Sequence, residues 1–170
     1  MGLSNAMSGG IILFGITYVI FTFANITDVT IGLNDVLFER SILDDKRAKT
    51  SIDVTIIIEP LVGNIFSFTV ENTNLEKLYD YDKFDVIVTY TVSGVTYVES
   101  LVYVTSCSPM TGEWCINYFT DDNVEPGILN EDEFFISQAR ISNTLEVGST
   151  VNIKIVTPNG VSSVTNAIVG

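Results

Sequence analysis

The chain has 170 residues, of which 21 are acidic, 8 are basic and none is histidine, so its formal net charge at pH 7 is −13. This charge disfavours nucleic acid and anionic lipid headgroups as partners of the exposed part of the protein, because both are anions. The absence of histidine removes the commonest general base and metal ligand. The length leaves room for one ordinary domain after the N-terminal segment.

The N-terminal segment is uncharged and largely apolar, since no ionisable Asp, Glu, Lys or Arg precedes Asp28. A helix over residues 6–24 would be about 28 Å long, close to the hydrocarbon thickness of a bilayer. We therefore predict a hydrophobic α-helix over residues 1–25, which is either transmembrane or part of a filament core. Its apolar bulk consists of Ile11, Ile12, Leu13, Phe14, Ile16, Tyr18, Val19, Ile20, Phe21 and Phe23.

The same segment lacks the features of a removable targeting sequence. A secretory signal peptide has a positive n-region and a small-residue cleavage site, whereas no Lys or Arg precedes Arg40. A pilin-type leader usually carries a charged residue before its processing site, and Met1-Gly2 does not provide one. We expect an uncleaved anchor; if the chain is already processed, a pilin-like subunit remains the alternative.

Residues 26–50 are predicted to continue the helix as an amphipathic stalk that ends near the charged segment 44–49. Apolar residues recur there at alternating spacings of three and four, a heptad-like seam that Arg40 interrupts. Such a seam packs on its own domain or on a neighbouring subunit, and the second case would make the protein a homo-oligomer. The seam consists of Ile26, Val29, Leu33, Val36, Arg40 and Leu43.

From residue 51 to residue 170 the apolar pattern changes to the period of β-strands. Short β-branched runs alternate with turn sequences such as Ser93-Gly94 and Thr157-Pro158-Asn159-Gly160. Seven or eight such runs predict an all-β antiparallel sandwich of immunoglobulin-like shape, with Trp114 in its core. The predicted strands cover residues 52–58, 65–70, 84–92, 96–105, 114–120, 133–139, 151–156 and 161–168.

Three features bear on the compartment. Cys107 and Cys115 are separated by a turn-forming stretch, so the pair is compatible with a disulfide, which would fit an extracytoplasmic domain, or with two free thiols. Asn25 begins the sequon Asn-Ile-Thr, but its closeness to the membrane argues against glycosylation. Basic residues favour the cytoplasmic side of a membrane mainly when they lie within about 15–20 residues of the membrane-spanning segment. Those of segment 46–49 lie at or beyond that limit. Together with the sandwich fold and the family resemblance described below, the cysteines lead us to expect the domain outside the cytoplasmic membrane.

No catalytic constellation is evident in the sequence. It has no histidine for a triad, no P-loop, no dinucleotide-binding glycine motif and no zinc spacing. The acidic clusters 80–82 and 131–133 offer carboxylates for calcium but lack the glycine and terminal glutamate of an EF-hand, so we interpret them as solvated loops. We expect a structural protein without metal or cofactor; an anchored hydrolase or metal-binding protein is the alternative from another class.

The order of an uncharged anchor, a stalk and a β-sandwich resembles components of the archaellum, the archaeal flagellum. The resemblance rests on Trp114 and on four segments of the sequence: MGLSNAMSGGIILFGITYVIF, FTVENTNLEKLYDYDKFDVIVTY, the segment 124–131 and the closing segment 157–161. The likeness is greatest to the accessory stator proteins known as the F and G subunits. Archaellins, the related type IV pilin-like filament subunits, share much of the layout.

The resemblance implies a non-enzymatic function. We expect a stator protein, which is anchored in the cytoplasmic membrane by its N-terminal helix and links the motor to the surface-layer protein, in contact with other archaellum subunits. The alternative is a filament subunit, which would bundle its N-terminal helix in the filament core, with the sandwich outside. Nucleic acid is not expected as a partner in either case.

Overall fold

The computed structural model describes residues 2–57, 63–120 and 125–170, with the helical side chains of residues 7, 9–23 and 33–49. It divides into two compact units, Met1–Asp44 and Asp45–Gly170. Helix α1 runs from Gly2 to Lys49, so the first unit is helical and the second begins with the last turn of α1. The second unit continues as an all-β domain, so the helical part and the β part of the predicted fold class are both present.

Helix α1 runs without a break through both predicted helical segments. Proline, which would interrupt the ladder of i to i−4 hydrogen bonds, is absent from this range. The hydroxyl groups within it bond back to the helix: Thr17 Oγ1 donates to the carbonyl of Leu13 and Thr22 Oγ1 to that of Tyr18, each at 2.8 Å. Among the described residues, no helix is long and apolar enough to cross a membrane. The transmembrane assignment therefore stays a prediction.

The predicted seam of the stalk is accompanied by apolar residues on other sides of the helix. Leu33, Val36 and Leu43 follow the seam, but Phe38 and Ile42 lie on the opposite side at about 100° per residue. All five side chains are exposed in the single chain. The side chains of Ile26 and Val29 lie outside the described residues. Over its described part the stalk is therefore less one-sided than the heptad pattern predicted.

The last turn of α1 is fixed to the β-domain by polar contacts. Arg47 Nε donates to the carbonyl of Asn159 at 2.6 Å, and Asn159 Nδ2 donates to Thr50 Oγ1 at 2.5 Å. Thr50 is buried, and its hydroxyl donates to the carbonyl of Lys46 at 2.8 Å. Lys46 Nζ lies 3.8 Å from a carboxylate oxygen of Glu76. Basic residues at the helix end are thus bound by groups of their own domain.

The described strands form one hydrogen-bonded sheet in the order β1-β2-β6-β5-β4-β3-β7-β8. Its two halves fold over each other as a barrel-like sandwich, because β1 and β8, at the two ends of the order, lie side by side. All eight predicted strands are found, and each has apolar residues at alternate positions. Ile58, at the predicted end of the first strand, lies outside the described residues. The bounds are β1 Ile52–Ile57, β2 Ile65–Asn72, β3 Asp85–Val92, β4 Val95–Tyr103, β5 Glu113–Thr120, β6 Phe134–Arg140, β7 Thr150–Val156 and β8 Ser162–Ile168.

One pairing corrects the prediction of a purely antiparallel sandwich. Strands β4 and β5 run parallel and meet at only two positions, Val102 beside Glu113 and Tyr103 beside Trp114. The chain leaves one half of the sheet after β4 and enters the other half at β5, and the two strands run in the same direction where they cross. All other described ladders are antiparallel. A pattern of alternating residues does not contain this information, since it is the same for either direction.

A single core fills the space between the two halves of the sheet. Trp114 is fully buried at its centre, as predicted, with ring centroids 4.9 Å from Tyr103 and 6.1 Å from Phe68. A β-bulge between Ile116 and Tyr118 shifts the register of β5. The bulge turns Phe119 inward, where its ring lies 5.7 Å from that of Phe135.

Candidate functional site

The feature of the first unit that indicates a function is the exposure of its apolar side chains. Ile11 is 72% exposed, Phe14 74% and Phe21 67%. Burying one such side chain stabilises a protein by about 1.5–3 kcal/mol, so a helix with this surface is favoured against lipid tails or other apolar helices. Further exposed apolar residues of the unit include Ile12, Leu13, Ile16, Val19, Ile20 and Leu37.

These side chains surround the helix. Four consecutive residues, Ile11 to Phe14, cover its whole circumference at about 100° per residue, and each is exposed. Apart from the chain neighbours and the helix's own backbone, no atom lies within 4 Å of the position that a Cβ would take at Gly9, Gly10 or Gly15, so the surface is also open there. A helix that is apolar on all sides is typically buried on all sides by its surroundings.

In the second unit, the outer face of β4, β3, β7 and β8 is almost without charge. Its side chains are mainly Val, Ile, Thr, Ser and Asn, and the charged residues on it are Lys154, in β7, and Asp85, in β3. Val98 is 66% exposed and Ile168 67% exposed. We call this surface the lysine face. Since 21 acidic residues are present in the chain, a face with a single carboxylate is distinctive.

The outer face of β1, β2, β6 and β5 has acidic residues at one end. Asp53 lies directly opposite Glu71 in the β1–β2 ladder, and both are exposed. At the other end Arg140 lies opposite Glu113, so the charges there balance. Between the ends lie uncharged side chains, including Ile136 and the exposed Tyr118. We call this surface the diacid face.

The predicted site residues are placed as follows. The Sγ atoms of Cys107 and Cys115 are bonded, which ties the segment between β4 and β5 to the buried start of β5. Asn25 lies on α1, with its side chain outside the described residues.

The acidic clusters considered for calcium have roles within the protein. Asp80 binds Lys83 at 2.7 Å, which with nearby charges raises the pKa of that lysine. Glu133 is buried and accepts hydrogen bonds from the backbone N and the side-chain amide of Asn130, at 2.9 and 3.0 Å. Among the described residues, no group of three or more His, Cys, Asp or Glu could hold a metal ion.

A cleft near the helix end offers no evident chemistry. It holds about 100 Å³, well below the several hundred cubic ångströms of ordinary ligand sites. Its two cations are already engaged, Lys46 with Glu76 and Lys77 with Glu125. The exposed surfaces are therefore better candidates for function than this cleft.

Sequence reasoning missed the two sheet faces. The signal was present in the outward positions of β4, β7 and β8, where charges are rare, but these positions can be read as one surface only once the strand order is known. The apolar surface of α1 was found because its signal is a continuous run.

No protein-family model matches the chain, and a search of curated proteins finds no match. Solved structures do match. The chain is similar to a chain of the archaeal flagellum of Methanospirillum hungatei strain JF1, with a TM-score of 0.59 and 12% identity, over 100% of this chain and 94% of that one.

Two archaellum periplasmic stator structures from Sulfolobus acidocaldarius also match, each at 17% identity. For FlaG the TM-score is 0.49, over 69% of this chain and 99% of that one. For the complex of FlaF and FlaG it is 0.48, over 70% of this chain and 88% of that one. The similarity to the chain of the archaeal flagellum confirms the resemblance to archaellum components as a likeness of structure. At these identities the likeness shows the fold alone.

Proposed function

We propose that this chain is a non-enzymatic structural component of an archaellum-type assembly and serves as a filament subunit. Its N-terminal helices would bundle in the filament core, and its β-domain would lie on the outside. The observation that carries the proposal is the exposed apolar surface around α1, which requires burial on all sides. Support comes from the similarity to the archaeal flagellum of Methanospirillum hungatei, which covers the helix as well as the β-domain.

Bundled helices would bury the surface of α1 efficiently. In a filament, each helix contacts several copies of itself, and the apolar area removed from water grows with every neighbour. The uncharged segment before Asp28 would lie in the dry core. The acidic residues would remain on hydrated domains, where their mutual repulsion is screened by salt.

A second candidate is a membrane-anchored stator that links the motor to the surface layer. The uncharged length of residues 1–25, which suits a bilayer as well as a helix bundle, favours it. In this case the partners would be the cytoplasmic membrane and the surface-layer protein, and the β-domain would lie outside that membrane. Both candidates place the β-domain at the cell surface.

Filaments sheared from the cells would separate the two candidates. We expect mass spectrometry to find this chain as a major filament component, and cryo-electron microscopy to show α1 repeating helically in the core. Recovery of the chain only from the membrane fraction, with filaments made of other subunits, would contradict the filament proposal and favour the stator.

A further inference from the structure

The lysine face holds a cation without a partner among the described residues. Lys154 lies near its centre, between Ile87 of β3 and Val164 of β8. The ion pairs of the described residues involve other lysines. Asp85 lies on the same face, two residues along β3 from Ile87, but forms no ion pair with Lys154.

The diacid face has the opposite property. Asp53 and Glu71 are directly opposite each other, and like charges in that arrangement destabilise a strand pair. Neither takes part in an ion pair among the described residues. A cation placed between the two carboxylates would relieve their repulsion, and a lysine ammonium can donate to both of them.

We propose that the lysine face of one copy packs on the diacid face of the next copy, with Lys154 between Asp53 and Glu71. The two faces are complementary in charge, and the remainder of each is mostly uncharged. In a chain with a net charge of −13, these are surfaces on which two copies meet with least repulsion. The bound partner is thus a second copy of this chain.

The contact joins different surfaces of the two copies and is therefore heterologous. When two copies are joined in this way, one of them keeps a free diacid face and the other a free lysine face, so the contact extends to a ring or a helical array rather than stopping at a dimer. The inference rests on the proposed function in one respect. A face with one cation binds weakly by itself, and bundled helices would raise the local concentration of neighbouring domains.

A zero-length carbodiimide cross-link tests the contact in the full chain. ¹⁵N-labelled and unlabelled copies would be produced separately, dissociated, mixed in equal amounts, reassembled as filaments and in membranes, cross-linked, and digested for mass spectrometry. We expect an amide bond between Lys154 Nζ and the carboxylate of Glu71 or Asp53, with about half of the linked peptides joining a labelled and an unlabelled copy. Links within one isotope alone, or links of Lys154 to other carboxylates, would overturn the proposal.

Charge exchange provides a second measurement. Lys154→Glu removes the amine and therefore abolishes this link whether or not the faces meet, so the informative variant is Lys154→Glu with Glu71→Lys, which is expected to restore a link between the exchanged positions. Lys83→Glu is the matched control. Lys83 forms an exposed ion pair with Asp80 and lies in the 3₁₀ turn Tyr81–Lys83, which belongs to neither face. Equal losses with the control, or no recovery on exchange, would contradict a direct contact.

The fraction in which the link forms separates this inference from the proposed function. A link in filaments supports both. A link confined to membranes supports the pairing of faces but contradicts the filament assignment. Filaments that contain the chain but yield no such link overturn the pairing of faces alone.

Discussion

At the scale of single residues, the edge of the core contains a polar network. Tyr90 is almost fully buried; its hydroxyl donates to Glu99 and accepts from Asn143 Nδ2 at 3.0 Å. Glu99 also accepts from the backbone N of Ser142, at 3.1 Å. Since Glu99 points inward from β4, its charge requires these donors. The network thus holds the loop after β6 against β4.

This network predicts a pH dependence. Burial and the hydrogen bond to Glu99 raise the pKa of Tyr90 above its ordinary value of 10.0. The unfolded state therefore loses this proton first, and the contribution to stability, present below pH 10, is lost as pH rises through the folded-state pKa. We expect Tyr90→Phe to lose about 1–2 kcal/mol at neutral pH. Its free energy of unfolding should then decline less than that of wild type as the pH passes 10.

Urea unfolding at a series of pH values measures both effects. Tyr79→Phe is the matched control, since Tyr79 is 56% exposed. If Tyr90→Phe and wild type show the same alkaline decline, ionisation of Tyr90 does not contribute to it.

At the scale of elements, the crossing from β4 to β5 depends on a small number of contacts. The parallel ladder has two positions, supported by Val102 N donating to the carbonyl of Gly112 and Val104 N to that of Trp114, both at 2.9 Å. The bond between Cys107 and Cys115 closes the connecting segment. The segment is therefore held by the disulfide as much as by the ladder.

We expect reduction of this disulfide to lower the free energy of unfolding by about 2–3 kcal/mol, because the cross-link limits the freedom of the unfolded chain. Urea titrations with and without a reductant measure the difference. The double variant Cys107→Ala and Cys115→Ala should be equally unstable under both conditions. Two titratable thiols in the untreated, unfolded protein would show that the bond does not form in cells.

At the scale of the whole molecule, the exposed surface of α1 determines where the protein can reside. A carboxylate in its apolar part would be desolvated in a bilayer or a helix bundle, at a cost of about 3 kcal/mol. The β-domain, which has its own core, does not depend on that surface for its packing.

We therefore expect Ile16→Asp to reduce incorporation of the chain into filaments or membranes about a hundredfold, the ratio that corresponds to 3 kcal/mol. Quantitative immunoblotting of the filament, membrane and soluble fractions measures it. Val147→Asp, the same kind of change at a residue that is 82% exposed on the β-domain, should be incorporated normally. Normal incorporation of Ile16→Asp would refute burial of this helix surface.

The helix and the strands could be predicted from the sequence because each depends on a pattern of residue types within its own segment. Each strand was found because alternating residues must be buried on one side, and α1 because its apolar run has no helix breaker. The burial of Trp114 followed from its size. The sequence placed the end of α1 near its charged segment but did not predict the contacts made there, in which Arg47 binds Asn159 and Lys46 binds Glu76 of the β-domain.

The sequence by itself determined which residues form the helix and the strands, and that the N-terminal part of the chain is uncharged and largely apolar. Only the tertiary structure decided the strand order, the parallel meeting of β4 and β5, and the bulge that turns Phe119 inward. It also decided that Asp53 faces Glu71 while Lys154 lies on the opposite side of the sandwich. The physical reason is that periodicity reports which side of a strand is buried, whereas pairing between distant strands depends on the packing of the whole core.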